Sequence, residues 1–505
     1  MGVFEDKQKG FMELIRRMKS YYEAVGVMYW DLRTGAPKKG VPTRSEAIGL
    51  LSTEAFKMSI SEEMAGYLAF FEEEENAKQS DPITKKLVEE CRKQYDRSVK
   101  IPSDRYKEYV VLTSQAESAW EEAKHADDYG KFSPYLEKII AFTREFVEIW
   151  GYDAHPYDSL LDQYEPGMTV AKLDEVFGSL REKLVPLVHA VQNAEHKPQT
   201  DFLYKSYPID DQKVFNRYIL NQLGYDFEAG RVDETEHPFA TGLNLGDVRI
   251  TTHYKEHHFA DALFSTIHEC GHALYEQNIS PELDGTLLCS GTSMGIHESQ
   301  SRFWENMIGR SRPFWDRYYA DLQKQFPEQL AGISEEAFYL AMNEAKPSLI
   351  RTESDELTYN LHIMIRYELE KDIIGGKVTV DELPALWNAK YEEYLGVTPP
   401  NNTLGILQDV HWAGGSFGYF PSYALGNMYA AQFERTLRKE IPNLDEHVRG
   451  GDFRPIKAWL TEKIYRHGGL KTPYELITGV TGEELNPDYL AQYLTKKYKD
   501  AYQLA

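Results

Sequence analysis

The chain has 505 residues, 42% hydrophobic and 27% charged, a balance ordinary for a soluble globular protein. Its 56 Lys and Arg against 80 Asp and Glu give a formal net charge of −24, which argues against nucleic acid or an anionic membrane as partner, because phosphate repels such a surface. Three cysteines, Cys91, Cys270 and Cys289, do not make a disulfide framework, and no run of eighteen apolar residues predicts a membrane span. The N-terminal MGVFEDKQKG lacks a cationic-then-apolar leader pattern, so a cytoplasmic location is expected.

The first hundred residues read as amphipathic helices. FMELIRRMKSYYEAVGVMYWDL and ITKKLVEECRKQYDRSV repeat apolar positions at three and four, and RTGAPKKGVP interrupts them with residues that cannot continue a helix. This region is a solvated face or a lid over a cleft. More helices follow to Leu223. DVRITTHY, Asp247 to Tyr254, alternates like a strand and predicts a small sheet or hairpin with an edge free for an extended peptide. Helical patterns resume near Phe259 and run to the end, except for a loop rich in glycine and aromatics, Asn401 to Tyr423. No repeat or long linker divides the chain, so residues 1–505 are expected to form one mostly α body, of one or two lobes.

The chemistry centres on FSTIHECGHALYEQ. Read as a helix, it sets Leu263, Phe264, Ile267, Gly271 and Leu274 on one apolar stripe and His268 and His272 one turn apart on another face. Both imidazoles can then reach one ion, while Glu269, rotated about 100° from His268, stands beside it as a base rather than a ligand. A catalytic zinc needs a third protein ligand. In SMGIHESQSRFWENMIG the candidate is Glu298, whose burial among bulky side chains is costly unless it meets a cation; pairing with Arg302 or ligation by His297 are the alternatives. Cys270 reads as a small buried filler.

Five motifs in order carry a resemblance over essentially the whole chain: DVRIT, HECGH, HESQ, IRTESD and GILQDVHW. The sequence resembles the carboxypeptidase Taq family of helical zinc metallocarboxypeptidases, differing at Ser354, where that family usually has Ala. The resemblance implies a mostly α, two-lobed body around a deep groove, like neurolysin, with a small sheet near the active site. It implies His268, His272 and Glu298 as ligands of one Zn2+ per chain, with Co2+ substituting in some members, and Glu269 as general base and acid. It further implies peptide substrates with a free C-terminus, broad side-chain tolerance, poor cleavage next to proline, and a homodimer.

A carboxypeptidase must recognise a free carboxylate, which a guanidinium grips bidentately. Arg351 is the first candidate and Arg249 the second; His237 is a third contact to the substrate terminus. Donors to the oxyanion are sought in the Gly-aromatic loop, where His411, Tyr419 and Tyr423 resemble in order a histidine and two tyrosines of angiotensin-converting enzyme. The rival readings are an oligopeptidase or dipeptidyl carboxypeptidase with the same metal site, and a non-catalytic peptide-binding scaffold.

Overall fold

A computed structural model describes residues 2–504. Helices dominate from Val3–Thr34 to Asp488–Tyr502, as the period-3.6 patterning predicts. Several begin on a side-chain cap that satisfies a free backbone N–H. Ser61, Asp81, Thr169 and Ser311 do this in four helices, and Ser293 accepts from Ile296 N at 3.0 Å to start helix Met294–Arg302. The three cysteines are free and buried, and among the described residues no helix is long and apolar enough to cross a membrane.

One three-stranded sheet interrupts the helices, with β1 (Val232–Glu234), β2 (Ala240–Asn244) and β3 (Asp247–Thr252) in the order β1-β3-β2. The predicted strand is present as β3, at the centre of a small sheet whose edges are β1 and β2. β1 pairs with it in parallel and β2 antiparallel, so that Ile250 lies between Val232 and Ala240. Helix Phe259–Glu276 packs on this sheet, where Thr266 Oγ1 donates to Thr252 Oγ1 at 3.0 Å. The N-terminal helix closes on it from the other side: Trp30 packs edge-on to Phe239 at 5.3 Å, and Asn244 donates to Glu23 at 2.8 Å.

Helix Phe259–Glu276 is more buried than a surface amphipathic helix. From Asp261 onward it is covered everywhere except at Asp261, Ser265, His268, His272 and Glu276, a single line of positions three or four apart. The two histidines therefore lie on its one open stripe. Helix Met294–Arg302 comes against its buried side at close range: a Cβ on Gly271 would stand 2.6 Å from the Gln300 carbonyl oxygen. Helix Pro421–Glu440 approaches equally closely, since a Cβ on Gly426 would stand 2.5 Å from Cγ of Glu298. Gly271, a mere spacer on sequence grounds, is the residue that lets the two metal-bearing helices touch.

Candidate metal centre and active site

Oε2 of Glu298 lies 3.5 Å from Nε2 of His268 and 3.5 Å from Nε2 of His272. The three donor atoms are all within 4.8 Å of one another. A tetrahedral ion with bonds near 2.1 Å separates its ligands by roughly 3.4 Å, so this donor set fits a divalent cation such as zinc with little movement. The Arg302 pairing raised as an alternative is present as well: Glu298 Oε1 accepts from Arg302 Nε at 2.7 Å, so the carboxylate meets both an arginine and the histidines.

Each ligand is held from behind. His268 Nδ1 donates to Glu305 Oε2 at 2.9 Å. Glu305, in the π-helical segment Phe303–Gly309, is itself gripped by Arg302 at 3.3 Å and Arg310 at 3.2 Å. His272 Nδ1 lies 2.6 Å from Nδ1 of His297, whose Nε2 is 2.8 Å from Glu276 Oε1. Both nitrogens of His297 are therefore engaged, and it is not the third ligand. Outer groups of this kind fix ring orientation and ligand basicity.

Burial alone depresses a histidine, but the carboxylates of Glu298 and Glu305 outweigh it at His268 and raise its pKa to about 10. His272, equally close to Glu298, has no carboxylate directly behind it, and burial takes its pKa down to about 4. The two rings thus share one carboxylate unequally: the proton drawn to the cluster sits on His268, where a cation would replace it. Burial raises Glu298, yet Arg302 and His268 more than reverse this and hold it well below the usual carboxylate range. Glu269 is buried, and its carboxylate makes no hydrogen bond among the described residues. Desolvation lifts its pKa to about 7, with His268 the nearest opposing influence.

The second group of predicted residues gathers around the loop before helix Pro421–Glu440. Arg351 is buried and directs Nε and Nη2 to Asp409 Oδ1 at 3.0 and 2.8 Å, with Nη1 donating to Tyr359 at 3.3 Å. Arg366, fully buried, takes the other oxygen of Asp409 at 2.7 Å. Its guanidinium lies over Trp387, and that of Arg351 over Tyr423 at 5.1 Å. His411 stacks on Tyr419 with centroids 5.7 Å apart, and Tyr419 meets Tyr423 at 5.1 Å. His411 Nδ1 is buried without a partner, and burial lowers the ring to about 4, so it is neutral. Burial raises Tyr423 well above 10, which keeps its hydroxyl a donor. The loop is clamped by Glu370, which accepts from Tyr157 at 2.5 Å, Trp412 at 2.7 Å and the Gly418 amide at 3.0 Å.

Two predicted residues stand apart. His237 is exposed in the loop between β1 and β2, with no hydrogen bond or ion pair among the described residues. Arg249 spends its fork on Asp247 at 2.7 and 2.6 Å and lies over Trp30 at 5.6 Å. Glu305, His297, Glu276, Tyr359, Asp409, Arg366 and Glu370 were not singled out as supporting groups from sequence.

The chain matches the family described as Carboxypeptidase Taq (M32) metallopeptidase over residues 10–498. It belongs to that family. It is 53% identical to carboxypeptidase 1 of Bacillus subtilis, covering 98% of this chain and 99% of that one. It is 40% identical to thermostable carboxypeptidase 1 of Thermus thermophilus, covering 96% and 97%. The crystal structure of M32 carboxypeptidase from Deinococcus radiodurans superimposes with a TM-score of 0.95 at 38% identity, covering 99% of this chain and 100% of that one. The protein is thus a metallocarboxypeptidase of mostly helical M32 fold, with His268, His272 and Glu298 as its candidate metal site.

Proposed function

We propose that this M32 carboxypeptidase removes single C-terminal amino acids from peptides with Glu269 as general base and acid. The observation that carries the reading is the unengaged, buried Glu269 carboxylate, raised to about 7 beside the His268, His272 and Glu298 donors. Zinc, one per chain, is the proposed cation, and when bound it supplies Lewis acidity that polarises the scissile carbonyl and acidifies water. Glu269 accepts the proton of the attacking water at a carboxylate oxygen and delivers it to the departing amine. Tyr423 and His411, neutral and beside Tyr419, are the proposed donors to the developing oxyanion.

Arg351 is proposed to receive the substrate's terminal carboxylate. Asp409 already occupies its Nε and Nη2, so the contact falls to Nη1, on the side of Tyr359 and Tyr423. Because Arg351 and Arg366 share one aspartate, the buried set keeps a positive charge for an anion to neutralise. Arg249, paired with Asp247, and His237, exposed between β1 and β2, lie outside this cluster and stay the second and third candidates for the substrate terminus. Family membership favours broad side-chain tolerance, poor cleavage next to proline and a homodimer; the N-terminal helices are proposed, from their own patterning, as a lid over the groove.

The test is a product ladder by mass spectrometry from one peptide and its C-terminally amidated twin, with metal content measured on the same preparation. Stepwise loss of single residues from the free acid, with the amide cut at least about a hundredfold more slowly, is the expected result. Release of dipeptides, or equal cutting of the amide, favours the rival end recognition over Arg351.

A further inference from the structure

The two histidines of the metal site are supported in unlike ways. Behind His268 stands a carboxylate; behind His272 stands a second imidazole, and only then a carboxylate. Two imidazole nitrogens 2.6 Å apart are joined by one proton, because two N–H groups would collide and two lone pairs would repel. At the outer end, His297 Nε2 lies 2.8 Å from Glu276 Oε1, the geometry of an imidazole N–H donated to a carboxylate oxygen. Nε2 of His272, 3.5 Å from Glu298 Oε2, must keep its lone pair to bind an ion, so the shared proton belongs to His272 Nδ1 and His297 accepts it at Nδ1.

We propose that His297 and Glu276 form a positioning relay that holds His272 in its Nδ1–H tautomer and so sets the affinity of the metal site. This rests on His268, His272 and Glu298 being that site. The surroundings are built for the relay. A Cβ on Gly291 would stand 2.5 Å from Cδ2 of His297, so glycine there admits the ring. Glu276 Oε1 also accepts from the Gly291 amide at 3.0 Å. A Cβ on Gly242 of β2 would stand 2.8 Å from Glu276 Oε2, so the sheet seats the carboxylate from the far side. Tyr275 covers the His297 ring at 5.2 Å. The relay thus ties one metal ligand to the sheet, while Glu305 ties the other to the π-helical segment.

The experiment measures Zn2+ dissociation constants by chelator competition, and the visible spectrum of the Co2+-loaded protein, for wild type and five variants. His297→Phe keeps a ring but no nitrogen and should weaken Zn2+ binding about 10- to 100-fold. His297→Gln should recover most of that loss, since its carbonyl can accept from His272 and its amide can donate to Glu276. Glu276→Gln, which preserves shape and loses charge, should cost several-fold, and the His297→Phe/Glu276→Gln double variant should bind no worse than His297→Phe alone, because Glu276 acts through His297. The Co2+ bands should shift in His297→Phe and return in His297→Gln. His272→Ala separates the two readings: if it binds Zn2+ as wild type does, the metal site itself is misassigned. If His272→Ala loses metal but His297→Phe and Glu276→Gln bind within twofold of wild type, or the double variant is additive, the relay is overturned. Should His297→Phe fail to fold, Glu276→Gln decides alone, and an unchanged affinity there overturns it.

Discussion

Two charged clusters lie on either side of Tyr359 and are opposite in sign. Arg302 of the candidate metal centre lies over the Tyr359 ring at 4.5 Å, and Arg351 of the arginine cluster donates to its hydroxyl at 3.3 Å. On the metal side, three ion-paired carboxylates, Glu298, Glu305 and Glu276, face two arginines, Arg302 and Arg310, before Glu269 is counted. On the other side, two arginines share Asp409. With His268 neutral, as a metal ligand must be, one cluster is short of positive charge and the other of negative. A buried imbalance is costly by itself and is relieved by a ligand of the missing sign. On the function proposed above, a cation and a peptide carboxylate are the ligands of the missing sign.

The largest effect separates chemistry from binding. Glu269→Gln should lower kcat by about 10²- to 10⁴-fold while metal content stays near one per chain, because Glu269 lies beside the donors without joining them. Activity assays with metal analysis of the same sample check this, and retained turnover would remove Glu269 from the mechanism. Next comes the opposite cluster. Asp409→Asn leaves Arg351 and Arg366 buried without their counter-charge and should destabilise the fold by about 3–5 kcal/mol, measurable by urea unfolding, with metal affinity unchanged. If metal binding falls as well, the clusters are coupled through Tyr359 rather than independent.

Gly271→Ala sharpens the packing side of the comparison. Its new methyl would meet the Gln300 and Ser301 backbone, so the helices bearing His272 and Glu298 must part. A cost of about 1–3 kcal/mol is expected, with weaker metal binding and no change in the preference for a free C-terminus. An equally stable variant with wild-type metal affinity would show that this contact has slack.

How much of each cluster could be read in advance follows from how far apart its parts lie in the chain. HECGH holds two ligands and the base within five residues, and helical periodicity turns that spacing directly into a shared face. Glu298 was legible through the cost of burying it, and Arg302 as its i+4 neighbour. Glu305 and Glu276 had the same kind of signal, seven residues after Glu298 and four after His272, but a carboxylate on a helix has many ordinary uses. His297, weighed as a ligand, is spoken for by a contact that no spacing reveals. The other cluster had no local period at all: Asp409 reaches Arg366 across 43 positions, and Glu370 reaches Trp412 across 42. Arg351 could be suspected there from its motif, but its partners exist only in the folded chain. The sheet teaches the same lesson, since β1 and β2 are too short to show alternation and are strands because β3 pairs with them.

The smallest effect is in the pH profile. Burial raises Glu269 to about 7, so without a cation its carboxylate is present above that pH and lost as pH falls through it. A base is active only when ionised, so kcat/KM should decline on the acid side, by about tenfold per unit once well below the limb. A bound cation favours the carboxylate and moves the limb downward, so with metal saturating it should lie at or below about pH 7. The arginine cluster should contribute no limb in this range, because Arg351 and Arg366 stay charged and Asp409, despite its burial, is held ionised by both. A profile measured with a free-acid peptide, corrected for metal occupancy at each pH, tests the contrast. A limb that persists unshifted in Glu269→Asp, or one whose steepness requires two protons, would mean that a group other than Glu269 carries the titration.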